Sequence, residues 1–533
     1  MRPGHWPPWG YWLLAGALIA VYLVQSLVGS AIKSPVFDET GDIAAGLSYV
    51  QSGEIRANLQ HPPLLKELAG GALWLTGARL PDSPEVRRML ADGGGERAAG
   101  AQLIAANGPD RTMFLARLPF LLLAAALGVL LYLWGRQLFG EVAAVAALFL
   151  YTLDPTILGH GYLATMDVGL AAFVLLFLFT LWQYVDRPDA KRLIYCGVAM
   201  GLMLCTKFSA IFVLPVAAVL LFAGTERKAR GFGSLALALV VMGAIATLVI
   251  QAVYLSPGGL FLYSTGLQRV NADHNPDYLV FLGGQLEHRF TSYFAAAYLL
   301  KEPLAAILLT GVGLFALRGA SRRVKLFLLL PPAVLFAAHT MFADNLGMRY
   351  IIPVLPVAYL VGGAGAAWLI SRGTWGRAVA AVLGLWMVIA AAGVYPDHLS
   401  YFNEAACVMK NAGAIGLDGG TRCGPLWLDD SNVDWGQSLK QVKEWVDRNA
   451  KGERVHLAYF GSFPPTTYGL VTVPVGPEQL AHDPEAGIYI VSAHFVARAP
   501  AEWLRRPAEV IGHAMYVYRI RQGTGAPVSP GRR

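Results

Sequence analysis

Eleven apolar stretches, each long enough or nearly long enough to cross a lipid bilayer, constrain this chain more than any other feature. They fall at about 11–31, 113–134, 142–158, 166–184, 193–206, 208–223, 233–254, 303–317, 325–342, 350–370 and 377–395. A spanning helix needs about 20 mostly apolar residues. The fifth and sixth stretches are short and are divided by Lys207, which would be costly at mid-bilayer. Only 14% of the 533 residues are charged, against about 25% in soluble domains. That deficit excludes a soluble enzyme, a disordered chain and a nucleic-acid-binding module. The expected fold is an all-α polytopic membrane bundle of about eleven transmembrane helices, residues 1–395, followed by a small α/β domain, 396–533.

The net charge of +7 is explained by topology rather than by a polyanionic partner. With the N-terminus in the cytoplasm, the cytoplasmic segments hold Arg2, Arg136, Arg187, Lys191, Arg192, Arg227, Lys228, Arg230, Arg318, Arg322, Arg323, Lys325, Arg372 and Arg377. The short loops on the other side hold only Arg349, with Lys207 at the fifth hairpin. The first stretch reads as an uncleaved signal anchor. An odd number of spans puts the C-terminal domain outside, with large outer loops at 32–112 and 255–302.

Within the first outer loop, 41–50 and 64–75 have the spacing of helices lying along the membrane surface, and 79–111 reads as an inserted loop. In the C-terminal domain, 434–449 reads as an amphipathic helix, and 455–460, 487–495 and 514–520 as strands. Cys407 and Cys423 lie where oxidation is permitted; a disulfide and two buried thiols both fit.

Candidate chemistry gathers on the outer side. Asp38 and Glu39 stand just past the first span. They fit a helix N-cap with a first-turn acid, or a general base or metal ligand beside the bilayer. Asp167 opens the fourth span and has the same two readings; Asp154, before Pro155, fits a structural cap. Lys207, Lys301 and Arg349 could each snorkel to the interface. Together they run against the charge bias and point to a bound anion such as a phosphate. His61 and His274 fit hydrogen-bonding side chains, phosphate donors or metal ligands. The chain has no HExxH, CxxC, P-loop or nucleophile-elbow serine, which argues against a metalloprotease, an ATP-driven pump and a serine hydrolase.

These residues occur in a telling order. The acid pair is followed by His61-Pro62-Pro63-Leu64, Ala116-Arg117-Leu118-Pro119, Thr165-Met166-Asp167, Thr206-Lys207-Phe208, Leu300-Lys301-Glu302-Pro303 and Arg349-Tyr350-Ile351-Ile352-Pro353. The pattern resembles the GT-C membrane glycosyltransferases of the protein O-mannosyltransferase group (glycosyltransferase family 39). It is also similar to the bacterial aminoarabinose transferases that modify lipid A. The resemblance implies a GT-C bundle in a bacterial inner membrane. It implies an inverting transfer of sugar from a polyprenyl-phosphate donor to a lipid, glycan or protein hydroxyl at the periplasmic face. The catalytic residues it implies are Asp38 as base, Glu39 orienting it, and Asp167. It adds Arg117 to the expected donor site, which with the cations and histidines above and Tyr350 holds His61, Arg117, Lys207, His274, Lys301, Arg349 and Tyr350. A divalent metal is a candidate cofactor, but Gln60-His61 replaces the Glu-Lys pair that precedes Pro-Pro in the aminoarabinose transferases. The rival reading is a lipid or glycan flippase, against which stands the lack of a visible inverted repeat. A third reading is a non-catalytic scaffold of envelope assembly.

Overall fold

The computed structural model describes every residue except 1–6, 93, 226–230, 273–274, 276, 413–414, 500, 506 and 522–533. His274, Arg2, Arg227, Lys228 and Arg230 lie outside the described residues.

All eleven apolar stretches are helical, and they differ in length. Among the described residues, seven helices are long and apolar enough to cross a membrane: Trp9–Ile32, Pro109–Phe139, Met166–Asp186, Phe232–Val253, Arg322–Phe342, Met348–Ser371 and Thr374–Gly393. An eighth crossing would be the pair Tyr293–Lys301 and Leu304–Gly319, bent by 108°. The bend has a local cause. Pro303 lacks an N–H and biases its predecessor away from helix, and Glu302 is accordingly extended. The helices Glu141–Thr152 and Ala190–Leu204 have 12 and 15 residues, and Val213–Gly224 continues the 3-10 turn Phe208–Phe212 as one apolar helix. At 1.5 Å per residue, a helix of 12 or 15 residues covers only about 18–22 Å of a hydrocarbon layer about 30 Å thick. The third stretch breaks at Asp154-Pro155, where Asp154 caps a new short turn by accepting from Thr156 N at 2.7 Å.

The long helices expose Leu13, Val24, Val240, Leu248, Val382 and Leu385, side chains suited to lipid and not to water. The chain is a multi-pass membrane protein. Its helices meet through small residues, as membrane helices do. A Cβ on Gly313 would fall 1.9 Å from the Val361 carbonyl, so the helices Leu304–Ala316 and Leu355–Ser371 can touch only with glycine there.

Four helices cover one end of the bundle: Glu39–Ser52, Leu64–Leu75, Pro84–Asp92 and Glu96–Ala106. The last two correct the reading of 79–111 as a loop. A two-stranded hairpin, Val280–Leu282 with Gln285–Glu287, lies in the second large loop.

The C-terminal unit is a five-stranded sheet in the order Val473–Pro474, Val455–Ala458, Gly487–Ser492, Met515–Ile520, Glu509–Ile511. The first three strands are parallel and the last two pairings antiparallel. Alternation along the strands builds two layers. Ile488 and Ile490 pack against Leu439, Val442 and Trp445 of the helix Leu439–Asn449. Tyr489 and Val491 pack against Trp503 and Leu504 on the other face. The preceding segment, 396–437, takes no part in this sheet and binds the ends of the bundle helices instead. Asn403 accomplishes much of this, donating from Nδ2 to Leu299 O (2.6 Å) and Glu302 O (2.7 Å). Cys407 and Cys423 are disulfide-bonded within it.

Candidate active site

Adjacent residues on a helix point about 100° apart, and this separates Asp38 from Glu39. Glu39 turns inward and is fully buried. Its Oε1 accepts from Arg117 Nε (2.8 Å) and Ala164 N (2.9 Å), and its Oε2 from Arg117 Nη2 (2.6 Å) and Val36 N (2.9 Å). Arg117 spends its other donors on Ser30 O (3.0 Å), Lys33 O (3.1 Å) and Ser34 O (2.9 Å). Every strong site on both groups is satisfied within the protein. Glu39 and Arg117 therefore form a structural clamp and do not line the cavity described below, which corrects their expected catalytic and donor-binding placement.

Asp38 occupies the N-cap position of Glu39–Ser52 but makes no side-chain cap hydrogen bond. Its carboxylate faces a cavity of about 1000 Å3. Arg349 Nη1 donates to Asp38 Oδ2 at 2.7 Å, and Arg97 Nη2 lies 3.9 Å from Oδ1. Arg349 stands on the short 3-10 helix Met348–Val354, entered through Gly347 at φ 129°. Its guanidinium lies 4.3 Å from the Trp435 ring centre and 5.3 Å from that of Tyr350. Arg349 Nε is buried with no hydrogen-bond partner.

Lys207 sits in an extended residue between the helix Ala190–Leu204 and the turn Phe208–Phe212. That break brings its ammonium to the end of the bundle. Nζ donates to Asp167 Oδ1 at 2.8 Å and lies 4.3 Å from the Tyr350 ring centre. Asp167 makes this bond in the first turn of its helix, where Thr165 is the N-cap residue. Asp38, His61, Lys207, Arg349 and Tyr350 line the same cavity, with Asp167 behind Lys207. Burial, reinforced by Lys207, Lys66 and Arg349, holds the His61 imidazole well below its usual pKa. It is therefore neutral near pH 7 and serves as a hydrogen-bonding group, and its Nδ1 is buried without a partner.

Lys301 is not with the other two cations. Its Nζ donates to Leu399 O (2.8 Å) and Asn432 O (2.6 Å) and faces the Phe402 ring. It fastens the 396–437 segment to the bundle, which corrects its expected place in the anion site.

The cavity also holds residues outside the expected set. Arg97 comes from the covering helix Glu96–Ala106, and Arg289, His288 and His339 from the second large loop and a bundle helix. Asp430 and Trp435 come from the 396–437 segment. Asp430 adopts φ 54°, rare for a residue with a side chain, while its Oδ2 accepts from Tyr278 OH at 2.8 Å. Its carboxyl is pushed up by burial. Ser431 and Asn432 hold the Arg349 loop through Leu346 O (2.5 Å) and Met348 N (2.9 Å). The repeated acids in Asp429-Asp430-Ser431-Asn432-Val433-Asp434 were the available signal.

Among the described residues, no group of three or more His, Cys, Asp or Glu side chains is gathered where a metal ion could be held. Asp38 has guanidinium neighbours instead of further anionic ligands. This donor set does not fit a divalent cation.

With this geometry established, two likenesses to solved structures become informative. ArnT from Cupriavidus metallidurans bound to undecaprenyl phosphate matches with a TM-score of 0.50 and 15% identity, over 96% of this chain and 99% of that one. Its apo state matches with a TM-score of 0.50 and 16% identity, over 94% and 97%. The fold is GT-C. The family described as dolichyl-phosphate-mannose-protein mannosyltransferase matches residues 102–253, a stretch of the GT-C bundle that includes Arg117, Asp167 and Lys207. No curated protein sequence matches. The likeness to family 39 carried by the ordered motifs is thus supported by both the family match and the GT-C fold.

Proposed function

We propose that this protein is an inverting glycosyltransferase. It moves a sugar from a polyprenyl-phosphate donor to a hydroxyl of a lipid, glycan or protein acceptor at the outer face of a bacterial inner membrane. The observation that carries the proposal is the gathering of Asp38, Lys207 and Arg349, drawn from three distant parts of the chain, around one cavity. The solved structure of ArnT with undecaprenyl phosphate supplies the donor class by likeness of fold. Orientation rests on charge. Arg136, Arg187, Arg322, Arg323 and Arg372 stand at the ends of helices whose other ends carry Arg117, Asp167, His339 and Arg349.

In this reading, Asp38 takes the proton from the acceptor hydroxyl as its oxygen attacks the anomeric carbon. The bond from that carbon to the phosphate oxygen breaks, and its electron pair leaves with polyprenyl phosphate. The diester donor carries one negative charge and the departing monoester carries two. Lys207 and Arg349 stabilise the charge that develops, already fixed in place before the reaction. Asp167 positions Lys207, Trp435 and Tyr350 position Arg349, and neutral His61 offers a hydrogen bond. No step requires a metal.

Asp38→Asn in purified protein with a radiolabelled polyprenyl-phosphate sugar tests the assignment. Turnover should fall by about 100-fold or more, while donor binding should be retained or strengthened, because Arg349 is released from the carboxylate it is paired with. Turnover within a few-fold of wild type would remove Asp38 as the base. Movement of intact donor across proteoliposomes, without release of polyprenyl phosphate, would favour a flippase.

A further inference from the structure

A second cavity, of about 1110 Å3, lies away from the reaction site. Its walls are the hairpin residues Phe281 and Gly284, the disulfide-closed segment around Lys410 and Arg422, and the C-terminal unit from Val496 to Tyr516. Three cations line it. Lys410 Nζ donates to Gly283 O at 2.8 Å and lies 4.6 Å from the Trp427 ring centre, and no carboxylate pairs with it among the described residues. Arg422 shares Asp418 at 3.2 Å but is largely exposed. Arg505 is also exposed, 4.0 Å from an exposed Glu502. The one acid in the lining, Asp397, is neutralised by Lys33 and accepts from Gln441 Nε2 at 3.0 Å. With Arg422 and Arg505 each beside one acid and Asp397 matched by Lys33, Lys410 leaves the cavity with a net positive charge.

Apart from Thr421, His513 and Tyr516 the rest of the lining is apolar, and Leu426 and Val510 are exposed at its surface. The segment that supplies Lys410 and Arg422 rests on the end of the membrane helix Thr374–Gly393. A Cβ on Gly393 would fall 1.9 Å from the Leu417 carbonyl. Leu417 is 75% exposed there, with Val408, Met409 and Tyr395 also exposed. Large apolar side chains and a tyrosine left uncovered at the end of a spanning helix match the composition of a bilayer interface. Cations beside such a patch meet phosphate head groups.

We propose that this second cavity binds the phosphate head group of an anionic membrane lipid, with Lys410, Arg422 and Arg505 on the phosphate and the acyl chains lying over Leu426 and Val510. The site is independent of the reaction cavity and does not rest on the glycosyl-transfer reading.

The test is native mass spectrometry of the full-length protein with phosphatidylglycerol, phosphatidylcholine or inorganic phosphate. One basic residue near an anionic surface changes affinity by about fivefold, so three predict about 100-fold. Wild type should retain phosphatidylglycerol over phosphatidylcholine. The triple variant Lys410→Gln/Arg422→Gln/Arg505→Gln should lose that preference. The double variant Arg422→Gln/Arg505→Gln, which touches only exposed side chains, should lose about 25-fold. Equal retention of phosphatidylglycerol by wild type and the double variant would overturn the proposal. Displacement of the lipid by millimolar inorganic phosphate would overturn it too, by showing a site for free anions. Binding of undecaprenyl phosphate at the reaction cavity, measured in the same variants, should be unchanged, so the two sites fail separately.

Discussion

The clamp between Glu39 and Arg117 separates a structural from a chemical role for the more buried member of the acid pair. Glu39→Gln keeps the shape of the side chain and removes its charge. In the native protein Glu39 accepts four hydrogen bonds, two of them from Arg117, and both side chains are essentially inaccessible to water. Two costs follow from the substitution. The Arg117 guanidinium loses the counter-charge of Glu39 while remaining buried, and breaking a buried pair from one side costs about 3–5 kcal/mol. The new amide also directs an N–H at groups that are themselves donors, adding about 1–3 kcal/mol for the polar group left unsatisfied. Even the lower figure changes a folding equilibrium by about 150-fold. The loss should appear as a lower midpoint when the folded fraction is followed by size-exclusion chromatography after heating in detergent. The double variant Glu39→Gln/Arg117→Met should regain most of it, because replacing both partners of a buried pair is far cheaper than removing one. A Glu39→Gln protein as stable as wild type, yet inactive, would refute this account and return Glu39 to the chemistry.

Three further outcomes follow from the site. Arg349→Ala should weaken binding of undecaprenyl phosphate by about tenfold or more, the worth of a charge-assisted hydrogen bond. Lys207→Ala combined with Asp167→Asn, which leaves no buried carboxylate unpaired, should do the same, and unchanged affinity in both would dismiss the phosphate role. Asp434 is buried beneath the C-terminal unit, and burial raises its carboxyl to about 6. Because its folded pKa lies above the unfolded value, its ionisation penalises the native state as pH rises from about 4 to 6 and stays complete above that. The unfolding midpoint of Asp434→Asn, relative to wild type, should therefore increase between pH 4 and pH 7; a flat difference would contradict this. Finally, Gly100→Ala would place a methyl 1.8 Å from the Thr40 carbonyl, displacing the helix that carries Arg97. It should lower both stability and turnover, whereas wild-type behaviour would show that this helix contact is not needed.

What the sequence disclosed depended on distance along the chain. Hydropathy located the long helices of the bundle, because lipid exposure leaves its mark residue by residue, but not Tyr293–Lys301, which lies in the expected outer loop 255–302. It does not tell an unbroken crossing from a broken one, since a run such as 142–158 looks continuous until Asp154-Pro155 cuts it into two short helices. Asp38, Lys207 and Arg349 were legible because each charge stands at the same end of an apolar run. Which of two neighbouring groups turns inward was not legible. Asp38 and Glu39 differ only by one step of helical rotation, and Lys301 was turned toward Asn432 by the bend at Pro303. Arg97, Asp430 and Trp435 were missed for a different reason. Their place in the cavity depends on long-range docking of surface segments, for which local periodicity carries no signal.

The same docking accounts for how the proposed site could stabilise a charge that grows during the reaction. Lys207 is held between the Asp167 carboxylate and the face of Tyr350, and Arg349 between Asp38 and the face of Trp435. Each cation thus has its own tethering acid and its own aromatic wall. Such cations attract a singly charged donor less strongly than free ones would, because the carboxylates offset part of their field. They also cannot swing to follow the donor in its ground state. Their advantage is greatest for the second negative charge, which appears on the phosphate only as the sugar departs. Binding that strengthens along the reaction coordinate raises turnover, whereas binding that is equally strong at the start does not. The acids beside Lys207 and Arg349 are therefore part of the proposed catalytic design, even where only one of them removes a proton.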